Sequence, residues 1–91
     1  MKFDLGRLVA SPAALHSLTR EQIILALARH EAGDWGEVDA EDQRANEQAL
    51  RDGARILSAY TFGNAPQESV RVWVITEADR RFTTILLPED Y

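Results

Sequence analysis

The sequence predicts an α+β domain whose N-terminal helices pack on a three-stranded antiparallel β-meander. Two observations carry this. The helix-start and helix-stop signals all fall before residue 54, and the remainder alternates apolar and polar residues with β-branched and aromatic enrichment. Helices followed by strands with short links give helices stacked against one sheet face. A chain of 91 residues holds one core, so residues 1–91 read as a single domain.

The elements follow in chain order. Residues 5–10 form a candidate short first strand, weakened by Gly6. Ser11-Pro12 is a capping hydroxyl followed by proline at the first helical position, which starts a short helix over about 12–17. Thr19-Arg20-Glu21-Gln22 matches the capping box and opens a helix over about 20–32. Its expected inner stripe is Ile23, Leu27 and His30, widened by Ile24 and Ala28, and Gly33 ends it. Asp39 caps a third helix over about 40–52, with Glu41 and Asp42 at the positive end of its dipole and Gly53 past its end. Its apolar face is thin: Ala45, Ala49 and Leu50, with Asn46 on the same side needing a hydrogen-bond partner. Strands are expected over about 54–62, 69–76 and 82–87, joined by the turn GNAPQES and by Glu77-Ala78-Asp79-Arg80-Arg81. The second loop has no glycine, which disfavours a two-residue mirror-image turn. A four- or five-residue loop closed by the Asp79 side chain fits instead.

Composition removes several classes of chemistry. No cysteine means no disulfide, thiolate metal site or thiol nucleophile. With two histidines and no spaced carboxylate loop, neither a metal nor a cofactor is expected. The longest apolar run, Ile23 to Ala28, is far below the ~20 residues of a membrane span, and the first residues lack a signal-peptide core. The expectation is a cytoplasmic protein without membrane contact. The net charge of −5 disfavours general binding to nucleic acid.

The candidate functional residues form two groups. His30 is a candidate proton donor or acceptor and Arg80 a candidate phosphate ligand, with Ser58, Glu77 and Thr83 as supporting groups. Asp34, Trp35, Arg80 and Thr84 are candidate binding residues: an indole in a glycine frame, and an arginine beside strand hydroxyls. Each group also has a plain structural reading. His30 suits the C-terminal turn of a helix, Trp35 suits a core plug, and the charged loop suits a solvated turn. Leu57, Trp73, Ile75, Ile85 and Leu87 are expected on a second sheet face, and left uncovered they would mark an interface.

The residues from His30 onward resemble a family of small bacterial plasmid-related proteins. The likeness rests on Gly33-Asp34-Trp35-Gly36, Asn46, Ser58, Tyr60, the run Ile75 to Arg80, Thr83-Thr84 and Leu87 to Tyr91. It implies a bacterial, mobile-element setting and no assigned activity. The order of helices and meander is also similar to barnase-like and RelE-like ribonucleases, although those are usually basic. The leading expectation is a non-enzymatic accessory protein that binds a protein partner, with a homodimer through the exposed sheet face as one form. The alternatives are a small ribonuclease or toxin using His30 and Arg80, and an acidic DNA mimic of antirestriction type. The last draws on Glu31, Asp34, Glu37, Asp39, Glu41, Asp42, Glu47 and Asp52.

Overall fold

A computed structural model describes residues 2–63 and 66–91. The turn expected at GNAPQES lies partly outside them, at Asn64 and Ala65. The order is β1 (Arg7–Ala10), α1 (Pro12–Ser17), α2 (Arg20–Glu31), α3 (Ala40–Asp52), β2 (Ile56–Phe62), β3 (Val70–Thr76) and β4 (Phe82–Leu86). Short 3-10 turns span Pro66–Glu68 and Pro88–Asp90.

The α+β class holds, but the sheet is a four-stranded mixed one. β2, β3 and β4 make the expected antiparallel meander, and β1 adds to β4 in parallel, giving the order β1-β4-β3-β2. Gly6 ends β1 rather than abolishing it. With φ at 67°, it lies against the Arg80 and Arg81 carbonyls, where a β-carbon would collide.

The helix signals act as local chemistry requires. The Ser11 hydroxyl accepts from Ala14 N–H, and Thr19 and Gln22 close their capping box. Asp39 accepts from Asp42 N–H, and Gly53 takes the left-handed conformation that ends α3.

The helices cover one sheet face. Ala14, Leu18 and Ala26 pack there on Tyr60, Val72, Val74, Ile85 and Leu87. Three expectations of side-chain direction change. Ile24 and Ala28 are exposed and Ala26 is buried in their place, so α2 is rotated from the expected stripe. Ala45 is likewise exposed, leaving Asn46 and Ala49 as the buried residues of α3. Ile85 and Leu87 face the helices, not the second face, because Val74 pairs with Ile85 and shares its side of the sheet. The second face carries Leu57, Trp73, Ile75, Phe82, Thr84, Leu86 and Val9, by the alternation of the four strands.

The two sheet edges are treated differently. On β2, the Asn46 amide donates to the Leu57 carbonyl at 2.7 Å and accepts from Leu57 N–H at 3.1 Å. Farther along, Ala59 N–H donates to the Trp35 carbonyl and Glu37 N–H to the Ala59 carbonyl. That edge is closed by a side chain and a loop. The outer edge of β1 has no such cover among the described residues.

No helix among the described residues is long and apolar enough to cross a membrane.

Candidate functional site

α2 ends with His30 pointing at the sheet, and β2, β3 and β4 each supply one hydroxyl beneath it. His30 Nδ1 lies 2.6 Å from Ser58 Oγ, and Nε2 lies 2.9 Å from Thr76 Oγ1. Thr76 Oγ1 lies 2.6 Å from Thr83 Oγ1, which donates to the Leu5 carbonyl at 2.7 Å. Thr76 and Thr83 are cross-strand partners, which is why their hydroxyls meet.

The proton positions follow by elimination. A carbonyl cannot donate, so the Thr83 proton goes to Leu5. Thr76 must then donate to Thr83, and His30 Nε2–H must donate to Thr76. In the neutral ring Nδ1 is left as an acceptor, and Ser58 donates to it. Hydrogen bonding thus fixes one tautomer.

Neutral is the state the surroundings impose. His30 has 0% exposure, and burial lowers its pKa to about 4, with the nearby Arg80 cation acting in the same direction. Ser58, Thr76 and Thr83 are equally sealed. The ring also packs edge-on against Phe3 and Trp35, at centroid distances of 5.2 and 6.1 Å. No buried side-chain polar atom among the described residues lacks a partner.

Arg80 sits nearby but is turned to other work. It closes the hairpin loop with φ at 59°, a left-handed conformation that costs a non-glycine residue about 1–2 kcal/mol. Arg80 N–H donates to the Glu77 carbonyl, and Arg81 N–H to the Asp79 side chain, as the loop chemistry predicts. The Arg80 guanidinium donates to the Ala54 carbonyl at 2.7 Å, the Glu77 carbonyl at 3.1 Å and the Ala49 carbonyl at 3.0 Å. It thereby ties the hairpin to the last turn of α3, at the helix end where the dipole favours a cation; the Ala49 carbonyl also accepts from Gly53 N–H. Phe3 contacts both the His30 ring and the Arg80 guanidinium, so an aromatic ring joins the two groups where a phosphate would need a cleft.

The other candidates are also structural in their contacts. Trp35 is buried, with its indole N–H donating to Glu47 at 2.8 Å. Asp34 accepts from Arg29 at 2.7 Å and from Gly36 N–H, and the Arg29 hydrogen bond holds its carboxyl below the usual range. Arg29 in turn lies 4.4 Å over the Tyr60 ring. The Tyr60 hydroxyl donates to the Asp34 carbonyl, and burial pushes its pKa to about 12. Thr84 is separated from Thr83 by the sheet itself, since adjacent strand residues point to opposite faces.

Of the eight acids in 31–52, Asp34, Glu37, Asp39, Glu47 and Asp52 are committed to arginines, the indole or backbone amides. Glu31, Glu41 and Asp42 have no side-chain partner among the described residues. Two of the eight are ion-paired, Asp34 with Arg29 and Glu37 with Arg71. Among the described residues, no cluster of histidine and acidic side chains could hold a metal ion.

The second sheet face buries Ala59, Ile75 and Leu86 and leaves other apolar side chains open. The Tyr91 ring stacks edge-on against Trp73 at 5.6 Å, and its hydroxyl accepts from Arg55 at 3.0 Å. Tyr91 is exposed beside Trp73, and Val9 and Phe82 are exposed farther off, on β1 and β4. Val9 and Phe82 also line an open depression of about 470 Å³ with Arg7, Asp79 and Arg81.

Compared with family models, curated proteins and solved structures, the chain matches none.

Proposed function

We propose that the chain is a non-enzymatic accessory protein that acts by holding a protein partner. One contrast carries this reading. The polar groups suited to catalysis are sealed and satisfied by one another, while large apolar side chains stand exposed on the second sheet face (Val9, Phe82), beside it (Tyr91) and on the helices (Leu15, Ile24, Leu25). His30 reaches no solvent, and the Arg80 fork is spent on carbonyl oxygens. Tyr91 beside the half-buried Trp73, and Val9 with Phe82 on β1 and β4, instead present aromatic and aliphatic surface. Such surface fits a partner that brings its own apolar side chains. The plasmid-related resemblance accords with an accessory role and supplies no chemistry. The DNA-mimic alternative gains nothing from carboxylates that already pair with Arg29 and Arg71.

The test is selection from a phage-displayed random peptide library. The expected binders carry apolar anchors and lose affinity for a folded Trp73→Ala protein. Binders indifferent to Trp73, or none at all, overturn the reading. RNA is incubated with the purified protein in parallel. Cleavage that disappears in a folded His30→Gln variant would establish the ribonuclease alternative instead.

A further inference from the structure

We infer that the bare edge of β1 pairs with β1 of a second copy, antiparallel, to make one continuous sheet. This rests on the protein-binding reading and names one partner, a second copy of the chain, at the sheet edge. The hydrogen-bond phase of β1 sets the geometry. Arg7 N–H donates to the Arg81 carbonyl and Ser11 N–H to the Ile85 carbonyl, so odd-numbered residues bond to β4. The backbone groups of Leu8 and Ala10 therefore point outward, with no partner among the described residues. An unpaired edge is a template for another strand, and proteins usually blunt it with charge, proline or cover. This chain closes its other edge with Asn46 and the loop at Trp35. On β1 it leaves Leu8 53% exposed on one face and Val9 42% exposed on the other.

A second copy fits this edge in one register. With Val9 facing Val9 on the two-fold axis, Leu8 of each copy exchanges N–H and C=O with Ala10 of the other. Arg7 then stands opposite Ser11 of the second copy. That Ser11 hydroxyl donates to Asp90 Oδ2 at 2.7 Å, so the register brings Arg7 to a carboxylate, twice by symmetry. Both Asp90 bonds use Oδ2, leaving Oδ1 for the guanidinium. Arg7 has no ion pair among the described residues. A register centred on Leu8 would bring Gly6 into the ladder, and its left-handed backbone cannot extend there.

The experiment combines sedimentation with NMR amide exchange on the full chain. The expected result is a concentration-dependent dimer in which Leu8 and Ala10 amides become protected as it forms. Val9 and Ser11 amides, bonded to β4 throughout, stay protected at every concentration. Leu8→Lys should return the chain to a folded monomer, and Arg7→Glu should weaken the dimer roughly tenfold. A monomer at ~1 mM overturns the inference. So does a dimer whose Leu8 and Ala10 amides exchange freely, since it associates through another surface. Both of those outcomes leave the protein-binding reading standing, which fails separately if His30-dependent RNA cleavage appears.

Discussion

Asn46 holds Leu57 by both of its backbone polar groups, as a neighbouring strand would. One amide side chain on α3 thus ends the sheet at β2 and fixes the helix to it. Asn46→Ala leaves a partly buried N–H and C=O unpaired together, at about 1–3 kcal/mol each. The expected loss is about 3 kcal/mol, read as a lower urea midpoint with unchanged slope. Asn46→Asp keeps the acceptor but sets a carboxylate oxygen against the Leu57 carbonyl. It should be as damaging as alanine at neutral pH and recover when acid protonates the carboxyl.

The His30 network sets an acid limb to stability. The unfolded histidine takes a proton near pH 6.5, and the folded one only near pH 4. Between those values the unfolded state binds more protons, so stability falls as pH falls. The difference amounts to about 3 kcal/mol at the bottom of the window. His30→Gln should be less stable at pH 7 yet lose little between pH 6.5 and 4. Urea titrations of both proteins across that range check it. A wild-type stability independent of pH in that window would count against a neutral buried ring.

Arg80 combines an unfavourable backbone with favourable side-chain bonds, and two substitutions separate them. Arg80→Gly removes the guanidinium bonds to Ala49 and Ala54 and also relieves the left-handed strain. Arg80→Ala removes the bonds and keeps the strain. Both should be destabilised, with glycine the more stable of the two by about 1 kcal/mol. Thermal unfolding of the pair measures the strain directly. Equal midpoints would mean that the loop backbone relaxes once the arginine is gone.

Sequence revealed the features governed by near neighbours. Ser11, Thr19 and Asp39 cap because each lies within three residues of the amide it accepts from. Asp79 closes its loop for the same reason. The parallel pairing of Arg7–Ala10 with β4 joins opposite ends of the chain and has no local signature. The phase of β4 was lost across the loop at 77–81, whose length alone decides whether Ile85 points to the helices. The α2 stripe was ambiguous because Ile23 to Ala28 is apolar throughout, so periodicity cannot select Ala26 over Ile24. At the site, the sequence offers His30, Ser58 and Thr83 as catalytic candidates, and the structure joins them in one buried network. An active site and a buried hydrogen-bonded network use the same residue types, and only solvent access separates them. Phe3 and the Leu5 carbonyl, which complete the network, give no sequence signal at all.

The direction of that network gives a sharper prediction. The Leu5 carbonyl fixes the Thr83 proton, which fixes Thr76, which fixes the His30 tautomer. Thr83→Val keeps the shape and removes the acceptor that the Thr76 proton uses. Thr76 is then free to donate to His30 Nε2, and the ring proton moves to Nδ1, donating to Ser58. The Ser58 hydroxyl turns to the Tyr60 oxygen, the other acceptor beside it. Long-range proton–nitrogen NMR should find Nε2 protonated in the wild type and Nδ1 protonated in the variant. The Leu5 carbonyl loses its partner, so stability should drop by about 1–3 kcal/mol. An unchanged tautomer would show that contacts around Ser58, not the threonine pair, hold the imidazole in its state.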